Sequence, residues 1–211
     1  MNLIKSTGTF SFFTLLSRVL GYLRDLFIAI FLGSGPIADA FFVAFRIPNT
    51  FRRLFSEGTF NAAFVPLYSA ELTKGKKPSQ KFANEIYNIL IVGLLFLILI
   101  IEIFMPWFVL LIAPGFTENS EKLELTIYLT RITFPFLFFI CLASFFAAIL
   151  NSHNRFALPA AAPIVLNLVL ILILLFGRYL NDDLVKYLAY GVTISGIIQF
   201  LLLIWFVKNF V

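Results

Sequence analysis

Charge is scarce in this chain. Only 13% of its 211 residues are Asp, Glu, Lys or Arg, 61% are hydrophobic, and the mean hydropathy is +0.97. A soluble domain is about a quarter charged and about half apolar, so a water-soluble globule is excluded. A single cysteine, Cys141, rules out an internal disulfide and a cysteine-based metal site. A single histidine, His153, rules out a multi-histidine site and, lying in a polar stretch, reads as a solvated loop residue. There is no Walker-type glycine-rich loop, no metal-ligand cluster and no Ser/His/Asp set. No catalytic group, metal or cofactor is therefore expected, and the chain is not read as an enzyme. The net charge of +5 does not point to nucleic acid, because the lysines gather in one stretch between apolar runs and the arginines sit inside such runs.

What the chain has in abundance is long, continuous apolar sequence. Short alternating strands of the barrel type are missing, so the reading is an all-α integral membrane protein. At about 20 residues per crossing, the runs at 8–32, 37–72, 84–112, 122–150, 157–176 and 184–207 make a six-helix transmembrane bundle. The start carries no cleavable leader pattern and reads as a retained first span. The stretch from Thr73 to Lys81 reads as a solvated loop with four lysines. The 28 phenylalanines suit a lipid-facing surface better than a ligand cage.

Loop cations set the orientation. With the N-terminus in the cytoplasm, that side holds Lys5, Lys74, Lys76, Lys77, Lys81, Arg155 and Lys208, against Lys122, Arg178 and Lys186 opposite. Both termini are therefore expected in the cytoplasm.

The first two segments break the apolar rule. Arg18, Arg24 and Asp25 lie in the middle of the first, and Asp39, Arg46, Arg52, Arg53 and Glu57 lie along the second. Each charge at the bilayer centre costs roughly 2.5–3.5 kcal/mol even on the lenient insertion scale. Ser17, Gly21 and Arg24 share one helical face, as do Arg18, Gly21 and Asp25. Gly21 is either a hinge in a discontinuous helix or a point of close helix crossing. Pro48 and Pro66 each remove a backbone bond from the second segment. Asp39, Arg46 and Arg53 are spaced by seven and share a stripe. Glu57 can pair with Arg53, and Asp25 with Arg18, but acids are too few to match Arg24, Arg46 and Arg52. Guanidinium groups stay charged and grip phosphate at two points. The excess arginine therefore indicates a cavity that accepts an anion, with a phosphate or pyrophosphate head group as the best fit.

Several motifs together resemble the MurJ (MviN) family of lipid II flippases, in the MOP exporter superfamily. They are Ser17-Arg18-Val19-Leu20-Gly21 with Arg24-Asp25; the run Asp39-Ala40-Phe41-Phe42-Val43-Ala44-Phe45-Arg46-Ile47-Pro48-Asn49; Arg52-Arg53 with Glu57-Gly58; and Ala63-Phe64-Val65-Pro66. Ala113-Pro114-Gly115-Phe116, Thr133-Phe134-Pro135, Ala148-Ile149-Leu150-Asn151 and Asn154-Arg155-Phe156 continue the likeness in order. The resemblance implies about fourteen helices in two lobes, of which this chain is the N-terminal one. It implies carriage of undecaprenyl-pyrophosphate-linked peptidoglycan precursor, lipid II, across the bacterial inner membrane by alternating access. It also implies that Arg18, Arg24 and Arg52 hold the head group. Ser17, Gly21, Asp25, Asp39, Arg46, Pro48, Asn49, Arg53 and Glu57 take supporting or gating roles. The implied partners are lipid II, membrane lipids and a second lobe in cis or in trans. Two other readings remain open: an exporter of another lipid-linked oligosaccharide, and a non-transporting membrane scaffold.

Overall fold

The computed structural model describes residues 3–57, 59–177 and 184–210, with side chains over 8–52, 60–177 and 184–209. The described residues are helical almost throughout, with no strand among them. In order they form α1 (Leu3–Leu32), α2 (Pro36–Glu57), α3 (Thr59–Thr73), α4 (Lys76–Ile103), α5 (Met105–Ile112), a 3-10 turn (Pro114–Glu118), α6 (Ser120–Thr133), α7 (Phe136–Ser152), α8 (Ala157–Phe176) and α9 (Leu184–Phe210).

The breaks follow local chemistry. Gly33 adopts φ 66°, and its N–H caps α1 by bonding the Ala29 carbonyl at 3.1 Å. Pro36 then opens α2, where its missing N–H costs nothing, and Asp39 lies in the favourable first turn. Asn119 caps α6, its side-chain oxygen accepting from the Lys122 N–H at 2.9 Å. Pro135 separates α6 from α7 because it cannot continue the hydrogen-bond ladder. The Thr193 hydroxyl of α9 donates to the Ile132 carbonyl beside that break.

Prolines inside helices are handled by neighbours. Helix α2 runs unbroken through Pro48, which leaves the carbonyl four residues back, that of Ala44, without its helical donor. Thr133 of α6 supplies one, its hydroxyl donating to the Ala44 oxygen at 2.9 Å. Pro48 lies within α2 and Pro66 within α3.

Helix α7 is the axis of the molecule. It is buried along most of its length and packs on α9, α3, α2 and α4. Gly196 of α9 permits close approach to α7, since a Cβ there would meet the Phe136 ring at 2.7 Å. Helix α4 is the opposite case, apolar with few fully buried residues and one face exposed, as a lipid-facing helix is. Among the described residues, four helical stretches are long and apolar enough to cross a membrane: Lys76–Ile103, Ser120–Ser152, Ala157–Phe176 and Leu184–Asn209. The charged helices α1 and α2 fall short of that test.

Three local expectations change. The lysine stretch is helical from Lys76 onward, because Gly75 takes the turn at φ 125° and Pro78 sits in the first helical turn. His153 is half-buried, its Nε2 3.3 Å from the Tyr68 hydroxyl. The phenylalanines do not only face lipid. Phe41 stacks on Phe45 at 5.9 Å, and Phe64 joins Phe60, Tyr68, Phe82 and Phe145 in one buried aromatic cluster. Rings in offset or edge contact fill the volume between these helices.

Candidate anion site between helices 1, 2, 8 and 9

Helix α1 lies mainly along α8 and barely touches α2. The space this leaves holds a cavity of about 180 Å³ at mid-helix, walled by Ser17, Arg18, Gly21 and Arg24 of α1, Asn49 and Arg52 of α2, Pro163, Leu166 and Asn167 of α8, and Gln199 of α9. A drug-sized ligand fills roughly 300–1,000 Å³, so these helices supply part of a binding wall. The three arginines singled out from the sequence meet here.

Arg24 is the best-held of them. Its Nε and Nη2 both donate to Asp25 Oδ1, at 2.9 and 2.7 Å, and its Nη1 donates to Asn167 Oδ1 at 2.8 Å. The guanidinium also lies 5.0 Å from the centroid of the Phe45 ring. A guanidinium has five N–H donors, so two remain for a ligand. Asn167 is buried, and its amide nitrogen donates to the Ser17 carbonyl at 2.9 Å. One carboxamide therefore ties α8 to both the backbone and the arginine of α1.

Arg52 is half-buried, and its Nε donates to Asn49 Oδ1 at 2.9 Å. Arg18 is exposed into the cavity and has no hydrogen-bond or ion-pair partner among the described residues.

The structure separates some of the expected partners. Asp25 pairs with its neighbour Arg24 rather than with Arg18. Gly21 is no break: α1 is continuous through it, and the Asn167 amide lies 3.7 Å from where its Cβ would be. The close-crossing alternative is the one observed. Pro48 is buried inside α2 and lines neither cavity. Asp39 and Arg46 lie apart from the mid-helix group, in a second cavity nearer the α1–α2 turn. The side chains of Arg53 and Glu57 fall outside the described residues.

Sequence reasoning assigned no role to Asn167 or Gln199. Both are buried amides inside long apolar helices, and a polar side chain in such a run is a signal of helix–helix contact or function. Lys122 was read only as a loop cation. Its Nζ reaches Asp39 Oδ2 at 2.6 Å and lies 4.0 Å from the centroid of the Phe116 ring.

The family model described as Lipid II flippase MurJ matches residues 28–211. The chain belongs to the MurJ family. A probable lipid II flippase MurJ of Rhizobium meliloti is 42% identical over 97% of this chain and 39% of its own length. The lipid II flippase MurJ of Burkholderia cenocepacia is 37% identical over 95% of this chain and 39% of its own length. A solved lipid II flippase MurJ in an inward closed conformation superposes with a TM-score of 0.75 at 32% identity, over 93% of this chain and 41% of that one. The chain thus spans about two fifths of the relatives it matches, and its fold is that of an all-α membrane transporter.

Proposed function

We propose that this chain forms the N-terminal lobe of a lipid II flippase. In this reading it binds the pyrophosphate of undecaprenyl-linked peptidoglycan precursor and carries it across the bacterial inner membrane. The observation that supports this best is the mid-helix cavity, where Arg18, Arg24 and Arg52 converge. Arg18 and the two spare donors of Arg24 grip phosphoryl oxygens, while Asn49 holds Arg52 and Asn167 holds Arg24 in place. A second lobe, in cis or in trans, closes the open side, and both termini lie in the cytoplasm.

The test is complementation. Cells depleted of their own flippase receive this chain with a second lobe, and lipid II exposed on the outer face is measured beside protein level. Arg18→Ala and Arg52→Ala abolish exposure while the protein still accumulates, because losing a mid-membrane charge relieves an insertion cost of roughly 2.5–3.5 kcal/mol. Arg→Lys keeps part of the activity, since a point charge lacks the planar fork. Normal exposure with well-expressed alanine variants would refute the assignment.

A further inference from the structure

Beside the mid-helix cavity, the chain has a larger one of about 270 Å³, nearer the α1–α2 turn and lined by Asp39, Phe42, Val43 and Arg46 of α2 and Phe116 of the 3-10 turn. Asp39, Phe42, Val43 and Arg46 recur at helical spacing, so one face of α2 forms a wall about two turns long. Arg46 ends that wall, exposed, and has no hydrogen-bond or ion-pair partner for its guanidinium among the described residues.

The acid in the same cavity is already committed. Asp39 Oδ2 meets Lys122 Nζ at 2.6 Å, and the lysine side chain is only 18% exposed. Lys122 sits in the first turn of α6, where the helix's positive end disfavours a cation. The carboxylate of Asp39 and the Phe116 ring, 4.0 Å away, stabilise the ammonium there. Lys122 thereby keeps Asp39 from the arginine seven residues along the same stripe. The outcome is a cavity with a neutralised acid at one end, an unpaired guanidinium at the other, and aromatic walls between.

We infer that this cavity is a second phosphoryl-binding station, with Arg46 as its ligand-holding residue and Lys122 as the positioning residue that keeps Arg46 free. It rests on the proposed function only in the choice of a pyrophosphate ligand. Arg46 and Arg52 are six residues apart on α2, about 9 Å of helix. Six residues also turn the two side chains about 120° apart around the helix, and the two cavities share no lining residue, so the two stations are distinct. A phosphoryl suits the site better than a lone carboxylate, because it fills both prongs of a guanidinium and keeps further oxygens for water or a second donor.

Arginine-selective modification tests this on the full chain in lipid nanodiscs. Phenylglyoxal adducts are mapped by peptide mass spectrometry, so Arg46 is read apart from Arg18, Arg24 and Arg52. Inorganic pyrophosphate slows modification of Arg46 along a single-site curve, about threefold when it stands at about twice its dissociation constant. Chloride at matched ionic strength and succinate leave the rate unchanged. In Lys122→Met, Asp39 turns to Arg46, so basal modification is slowed and pyrophosphate gives no further protection. In Lys122→Met with Asp39→Asn, both return. Arg52→Ala leaves protection at Arg46 intact, which separates this site from the mid-helix one. Failure of the proposed function removes protection at Arg18 and Arg52 but not at Arg46. Unprotected Arg46, or equal protection by chloride or succinate, would overturn the second station.

Discussion

Replacing Thr133 with valine tests how the fold tolerates a proline inside the charged helix α2. Pro48 leaves the Ala44 carbonyl without a helical donor, and the Thr133 hydroxyl takes that place at 2.9 Å. Thr133 and Ala44 are both fully buried, so no water replaces the lost donor. Valine matches threonine in volume, which keeps any cavity small. The loss is then one buried, unsatisfied carbonyl, worth about 1–3 kcal/mol. Interhelical hydrogen bonds in membrane proteins run lower, about 0.6 and up to 1.7 kcal/mol, so about 1 kcal/mol is the expected cost. Pro48→Ala supplies the control, because it restores an N–H four residues after Ala44. In that background Thr133→Val costs little. The measurement is unfolding by SDS in mixed micelles, followed by helicity, for the two single variants and the double. The coupling between the sites should be about 1 kcal/mol. A Thr133→Val variant as stable as the parent, or equally destabilised with and without Pro48, would refute the reasoning.

Asn167→Leu removes the acceptor for Arg24 and the donor to Ser17, two bonds between α8 and α1. It should lower stability by about 1–3 kcal/mol in the same SDS titration, and head-group binding should weaken because Arg24 is no longer held. Acid should loosen the end of the bundle where His153 meets Tyr68. Burial, and then the neighbouring Lys76 charge, hold the His153 imidazole below its ordinary value of 6.5. The unfolded chain therefore binds the proton more readily, so this contribution is full above about pH 6.5 and is lost as pH falls through the folded value. Unfolding midpoints should drop between pH 7.5 and 5, and His153→Gln should flatten that slope; an unchanged slope would remove His153 as its source.

The sequence displayed its apolar segments and its arginine excess openly, because both are properties of neighbours along the chain. Ser17, Arg18, Gly21 and Arg24 could be placed on adjoining faces of α1 from helical spacing alone, and the structure lines the cavity with them. The partners were hidden. Asn167 lies 143 residues from Arg24, and Lys122 lies 83 residues from Asp39, distances at which periodicity carries no information. Local proximity also misled the pairing of Asp25. Helical spacing allowed it to meet Arg18, but Arg24 is adjacent, and its long side chain folds back to reach the carboxylate. Gly21 reads as a hinge or a close crossing, and Pro48 as a missing backbone bond. In each case a polar side chain from another helix, Asn167 or Thr133, occupies the space or the carbonyl that the residue leaves.

The charge balance of the mid-helix cavity argues for what must cover it. Among the described residues at the cavity, Arg24 is paired with Asp25, while Arg18 has no acidic partner. Facing lipid, the Arg18 guanidinium would cost roughly 2.5–3.5 kcal/mol or more. Asn49 and Asn167 orient Arg52 and Arg24 without neutralising them. For Arg18 the compensation comes from water, from an anion or from acids on another surface. Helix α1 leans on α8 and barely touches α2, so the wall between α1 and α2 is thin. Under the proposed function, the second lobe covers that side while leaving a route for the lipid tail. An anion that binds there repays the arginines' desolvation only while that cover excludes lipid. Ligand affinity and partner docking are then linked, and each should strengthen the other by the same factor.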